Sequence, residues 1–145
     1  MRFSKNMENI SMSKTAEVAD LALSLKEQGH KIVNMATGEL SFKPALSIRK
    51  EACRTINKGA TLYTQVAGRQ ELRDLISVKL KKDLKIESTC DEIIVSNGGK
   101  QVIYNALQST INRGDEVIII SPFWVSYPEI IKLCGGKPKV LNTKR

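Results

Sequence analysis

The sequence predicts an α/β protein: parallel βαβ units that stop short of a complete sheet, preceded by a helical amino-terminal segment. Three observations carry this. From Asp91 onward, short β-branched apolar runs alternate with stretches of helical periodicity. The run Val117 to Ile120 is apolar at every position, as in a parallel strand covered on both faces. Upstream of Asp91 the chain reads as helices and loops punctuated by glycine and proline.

Taken in order, "MSKTAEVADLALSLKEQG" is a helix with Ser13 or Thr15 as candidate cap, stopping at Gly29. "KIVNMATGELSF" follows as a short strand broken at Gly38. Pro44 opens a second helix, "ALSIRKEACRTINK", which Gly59 closes in the position after the cap. "ATLYTQVAG" is an extended connection leading through Gly68 into "RQELRDLISVKLKKDL", whose Leu72, Leu75, Ile76 and Leu80 form an apolar stripe. The predicted order is then strand 92–96, helix 99–112, strand 116–120, helix 127–134 and strand 137–142, with Gly114 and Gly135-Gly136 as helix stops. Three strands are too few for helices to cover both faces of a doubly wound sheet.

A chain of 145 residues is the size of one ordinary domain, long enough to bury roughly 70% of its unfolded surface. No apolar run approaches the ~20 residues of a membrane span, and the polar start "MRFSKNMENISMSK" has no signal-peptide core, so no membrane role and a cytoplasmic location are expected. Cys53, Cys90 and Cys134 are odd in number and far apart, which fits neither a disulfide framework nor a metal pair; they read as reduced, buried small hydrophobes. The single histidine, His30, beside the helix stop at Gly29, reads as a capping or exposed residue, so no metal cluster and no Ser-His or Cys-His hydrolase arrangement is expected. A net charge of +8 raises nucleic acid as a partner. The basic residues are interleaved with acids along helices and accompanied by no nucleic-acid motif, so solvated helix faces are the expectation instead.

The stretch that points to chemistry is "DEIIVSNGGKQVIYNALQS". A strand that ends in small residues and glycines where a helix begins leaves backbone N–H groups unpaired, with the positive end of the helix dipole behind them. That is an anion site. Alone it is weak, because a glycine pair before a helix is more often turn chemistry. In company with "MATGELSF", "TLYTQVAG" and "SPFWVSYPE", in that order and spacing, it resembles the amino-terminal part of class I pyridoxal-phosphate-dependent aminotransferases. Within them the nearest pattern is that of the bacterial aspartate aminotransferases, including the aspartate/prephenate branch. The resemblance runs from about Ser13 to Val140.

The resemblance implies roles residue by residue. Gly98, Gly99 and Lys100 match the loop that gives N–H groups to the phosphate of pyridoxal 5'-phosphate, Trp124 matches the aromatic stacked on its ring, and Tyr63 matches the tyrosine that reaches the partner subunit's phosphate, which implies a homodimer. Gly38 matches the glycine approached by the substrate α-carboxylate, and Ser13, Thr15 and Lys100 match positions contacting the side-chain carboxylate of a dicarboxylic substrate. On their own, Ser13 and Thr15 read first as helix caps, Lys100 reads equally as a solvated helix residue, Trp124 without its flanking motif reads as core packing, and Tyr63 as a loop residue. The chain departs from the usual pattern at "GELSF", at Phe123 and at Met12.

The implied activity is transfer of an amino group between a dicarboxylic amino acid and a 2-oxo acid. Residues 1–44 are expected to form the arm and the substrate-facing segment of a small domain, and 45–145 the first, truncated part of a cofactor-binding large domain. The Schiff-base lysine, the aspartate at the pyridine nitrogen and the carboxylate-binding arginine of such enzymes match no residue here. Lys132, Lys137, Lys139 and Lys144 lie outside the lysine motif. Within these 145 residues no catalytic residue, metal ligand or covalent cofactor attachment is expected. The chain therefore reads as a fragment inactive alone, the alternative being a non-catalytic remnant or interaction fragment of a degraded gene.

Overall fold

The structure is a computed structural model and describes residues 4–8, 10–11, 13–36, 38 and 40–144. Among the described residues five helices and two strands follow one another: α1 (Lys14–Glu27), α2 (Leu46–Asn57), α3 (Gln70–Leu84), α4 (Gly99–Thr110), β1 (Glu116–Ser121), α5 (Ser126–Leu133) and β2 (Lys137–Asn142). Single 3-10 turns occupy Lys5–Met7 and Cys90–Glu92. By packing, the residues form two compact units, one of 1–39 with 100–145 and one of 40–99. The boundary expected at residue 44 follows the family pattern, whereas this division follows contact.

In the first unit, β1 and β2 are parallel, with Glu116 opposite Lys137 and Ser121 opposite Asn142, joined through α5 in one βαβ crossover. The Lys137 amide donates to the Asp115 carbonyl at 2.7 Å to open the ladder. Packing decides why this crossover needs glycine at Gly136. A Cβ there would stand 2.8 Å from Ile111 Cδ1 and 3.0 Å from Ile131 Cγ2, inside van der Waals contact. The core of the unit is Ile119 of β1 with Ile130 and Ile131 of α5, each burial stabilising by roughly 1.5–3 kcal/mol.

The second unit is α2, α3, the Cys90–Glu92 turn and the extended segment after it. Its buried residues are Ile93 and, unusually, Arg73 of α3, only 7% exposed. The basic faces of α2 and α3 pair with neighbouring acids, Arg54 with Glu51, Lys79 with Asp83 and Lys81 with Glu87, as solvated helix faces do.

Three expectations need correction. The run 92–96 is not a strand: Ile93 has strand-like dihedrals, but the sheet consists of β1 and β2, and the Val95 amide donates to the Ala67 carbonyl at 2.9 Å, a loop rather than a strand partner. A β-branched run becomes a strand only where a neighbour supplies the ladder. For the same reason the described residues of 31–42 form no strand; Thr37 and Glu39 within it, like Met12, lie outside the described residues. Finally, Cys53 is exposed rather than buried, because no residue of α2 is buried, while Cys90 and Cys134 are half-buried and all three thiols are free. Burial pushes the Cys90 and Cys134 thiols up.

Candidate functional site

In the first unit the start of α1, Lys100 of α4 and the loop after β1 converge on a cavity of about 660 Å³. Ser13, Thr15, Gly38, Lys100 and Trp124 line it, together with Phe123 and Ser126. Five of the eight residues singled out from the sequence thus meet in one place, although they come from four separate stretches of chain. Ser13 stands at the N-cap of α1, yet its side chain makes no capping bond; its carbonyl accepts from the Glu17 amide instead. The capping expectation is corrected on that point, and the serine is exposed at the cavity wall.

Trp124 is 43% exposed, which overturns core packing as its role. Tyr127 meets its ring edge-on at 5.6 Å between centroids, and the Lys100 ammonium lies 4.8 Å from the ring centroid. A cation over an indole face at that range gains about 0.5–1 kcal/mol where solvent reaches it. The pair fixes a positive charge and an aromatic face side by side at the cavity.

The amino-terminal segment is tied to α5 beside this cavity. Asn6 Nδ2 donates to the Leu133 carbonyl at 3.2 Å, and the Ser11 amide donates to Glu129 Oε2 at 3.0 Å. Glu129 also accepts from Lys132 Nζ at 2.9 Å; that bond first, and the Ser11 amide second, hold its carboxyl below the usual carboxylate range. Sequence reading missed this role, since no local pattern links Glu129 to the Ser11 amide 118 residues away.

In the second unit lies the glycine loop. Gly98 has φ +83 and donates to the Ser96 carbonyl at 2.8 Å, a left-handed turn that favours glycine. Gly99 has no such backbone requirement, and a Cβ on it would meet no atom within 4 Å. The same holds at Gly38. Tyr63 is fully exposed and lines a shallow cavity of about 430 Å³ with Gly59, Leu62, Gln65 and Arg69.

Among the described residues no group of three His, Cys, Asp or Glu gathers to hold a metal, and no helix is long and apolar enough to cross a membrane. Lys132 and Lys139, two of the lysines outside the expected motif, pair with Glu129 and Glu116 at 2.9 Å.

A parallel βαβ crossover, its helix packed on both strands, defines an α/β protein, and the chain carries a glycine turn that opens a helix and a half-open tryptophan beside a lysine. The chain belongs to the aminotransferase class I and II family, whose model matches residues 30–145. It is 41% identical to a probable aspartate/prephenate aminotransferase of Rhizobium leguminosarum bv. phaseoli, over 90% of this chain and 32% of that one. To the aspartate/prephenate aminotransferase of Nitrosomonas europaea it is 40% identical, over 99% of this chain and 36% of the relative. Among solved structures, the aspartate aminotransferase of Thermus thermophilus with maleate superposes with a TM-score of 0.94 at 36% identity, covering 99% of this chain and 38% of that one. The chain thus spans about a third of the length of the relatives it matches.

Proposed function

We propose that the chain supplies the amino-terminal part of a pyridoxal 5'-phosphate-dependent aminotransferase that moves an amino group between a dicarboxylic amino acid and a 2-oxo acid. The observation that carries this is the cavity where Ser13, Thr15, Gly38, Lys100 and Trp124 meet. Family membership implies the cofactor. The residues present fit its phosphate and ring: Gly98 and Gly99 keep open space at the start of α4, and Trp124 keeps its ring half open. When bound, the cofactor supplies an electron sink for the substrate Cα.

This chain's own residues would then bind and orient. Backbone N–H groups of Gly98, Gly99 and Lys100 at the α4 N-terminus hold the phosphate. Trp124 carries the ring. Lys100, with Ser13 and Thr15, receives the distal carboxylate of a dicarboxylic substrate. The Thermus relative with maleate, itself a dicarboxylate, supports that reading. The Gly38 backbone meets the α-carboxylate, and the exposed Tyr63 serves the partner's phosphate in a cytoplasmic homodimer.

The test is a chimera in which this chain replaces the matching amino-terminal third of the Nitrosomonas relative. We expect cofactor-dependent turnover of aspartate with 2-oxoglutarate. Lys100→Ala is expected to lower kcat/KM for aspartate by about tenfold or more, as loss of a charge-assisted bond should, and to leave a monocarboxylic amino acid nearly unaffected. A folded, dimeric, cofactor-loaded chimera without turnover would reject the proposal.

A further inference from the structure

We propose that Arg73 is a positioning residue for the glycine loop, acting on it through Gly68 and Val95. Its side chain is enclosed at 7% exposure, and its three nitrogens reach three separate acceptors. Nε donates to the Gly68 carbonyl at 3.2 Å, one terminal nitrogen to the Cys90 carbonyl at 2.8 Å, and the other to Gln65 Oε1 at 2.9 Å. Asp91, 3.7 Å away, is the carboxylate beside it and is itself exposed. A guanidinium withdrawn from water is costly unless every fork of it is satisfied, and here it is satisfied mostly by backbone. Those acceptors belong to the connection before α3 and to the turn before the glycine loop. Arg73 therefore clamps two stretches that are far apart in sequence.

The clamp reaches the loop by direct contact. Between the two stretches, the Val95 amide donates to the Ala67 carbonyl at 2.9 Å. Gly68 is pressed so closely on Val95 that a Cβ would lie 2.8 Å from Val95 Cβ; its φ of +98 adds a second reason for glycine. Val95 is followed at once by Ser96, Asn97, Gly98 and Gly99. Fixing Gly68 fixes Val95, and fixing Val95 sets where the loop begins. In the extended run 93–95, which has no strand partner among the described residues, this hold replaces the ladder that would otherwise position it. Any effect on phosphate rests on the proposed function above.

The test uses the isotopically labelled 145-residue chain, with amide exchange and amide shifts read by NMR with and without pyridoxal 5'-phosphate. In Arg73→Met, Val95 exchange is expected to rise by about tenfold or more, since each lost bond to a charged group is worth roughly a factor of ten. Ser96 to Gly99 should shift, while Ile119 exchange in the other unit stays the same. Arg73→Lys should restore little, because one ammonium cannot serve three divergent acceptors. Gly68→Ala keeps the arginine but drives a methyl into Val95, and the same amides should move. Unchanged Val95 to Gly99 amides in Arg73→Met would overturn the proposal; if that variant does not fold, unchanged amides in Gly68→Ala overturn it. Loosened amides together with a cofactor-induced shift of Gly98 and Gly99 in the unsubstituted chain, weakened in the variant, support both positioning and phosphate binding. Loosened amides with no cofactor-induced shift support the positioning role and reject the phosphate assignment.

Discussion

Glu129 holds the amino-terminal segment at the edge of the cavity through the Ser11 amide, and the strength of that hold depends on its charge. Its folded pKa is lowered, by the Lys132 bond first and the Ser11 amide second, so the carboxylate's contribution is complete above the unfolded value, about 4.3, and is lost as pH falls through the folded one. Exchange of the Ser11 amide, corrected for its intrinsic pH dependence, should therefore accelerate on acidification below that range. Glu129→Ala should produce the same loosening at neutral pH, about fivefold for a partly solvated bond worth about 1 kcal/mol. Equal Ser11 exchange in the two proteins would show that the segment is held by other contacts.

Residues differ in how far the sequence alone revealed them. Lys100 and Trp124 were singled out by motif, and each had a plain alternative: geometry shows the indole half open rather than packed in the core, while Lys100 is an exposed helix residue whose ammonium sits over that ring. Ser13 carried the capping expectation because serine before a helix usually caps. Here the serine occupies the cap position without capping. Arg73 gave no signal, since an arginine within a helix of alternating charges reads as solvated, and only its three acceptors distinguish it.

At the scale of elements, helices were legible because their period and their stops are local. α1, α2 and α5 end on Gly29, Gly59 and Gly135, each with positive φ and each followed by a bond back into the last turn. β1 and β2 were legible because each has the other as its neighbour. The runs 31–42 and 92–96 carry the same β-branched chemistry but find no strand partner among the described residues, and pairing is not written in a single run. β1 also departs from what its composition implies: Ile119 is buried at 6% exposure while Ile118 is 71% exposed, and Ile120, Val140 and Leu141 are exposed as well. An apolar sheet surface of that kind promotes association. Sedimentation of the 145-residue chain should show concentration-dependent oligomers, and Ile118→Thr with Ile120→Thr should shift them toward monomer. A monodisperse monomer in the unsubstituted protein would contradict this reading.

At the scale of the whole molecule, the Nitrosomonas relative and the Thermus structure each match 99% of this chain, which spans only 36% and 38% of theirs. The central claim is that this third carries the phosphate-and-ring part of the family's cofactor site. Trp124 is the only tryptophan, so its emission reports on that site without interference. The most direct measurement is titration of the 145-residue chain with pyridoxal 5'-phosphate and, separately, with pyridoxal, following Trp124 fluorescence. The account predicts saturable quenching by the phosphorylated compound at concentrations about tenfold or more below those needed for pyridoxal, since bonds from helix N–H groups to a phosphate should contribute at least about 1.4 kcal/mol. Trp124→Phe should abolish the signal. Quenching that is linear, or equal for the two compounds, would contradict the claim.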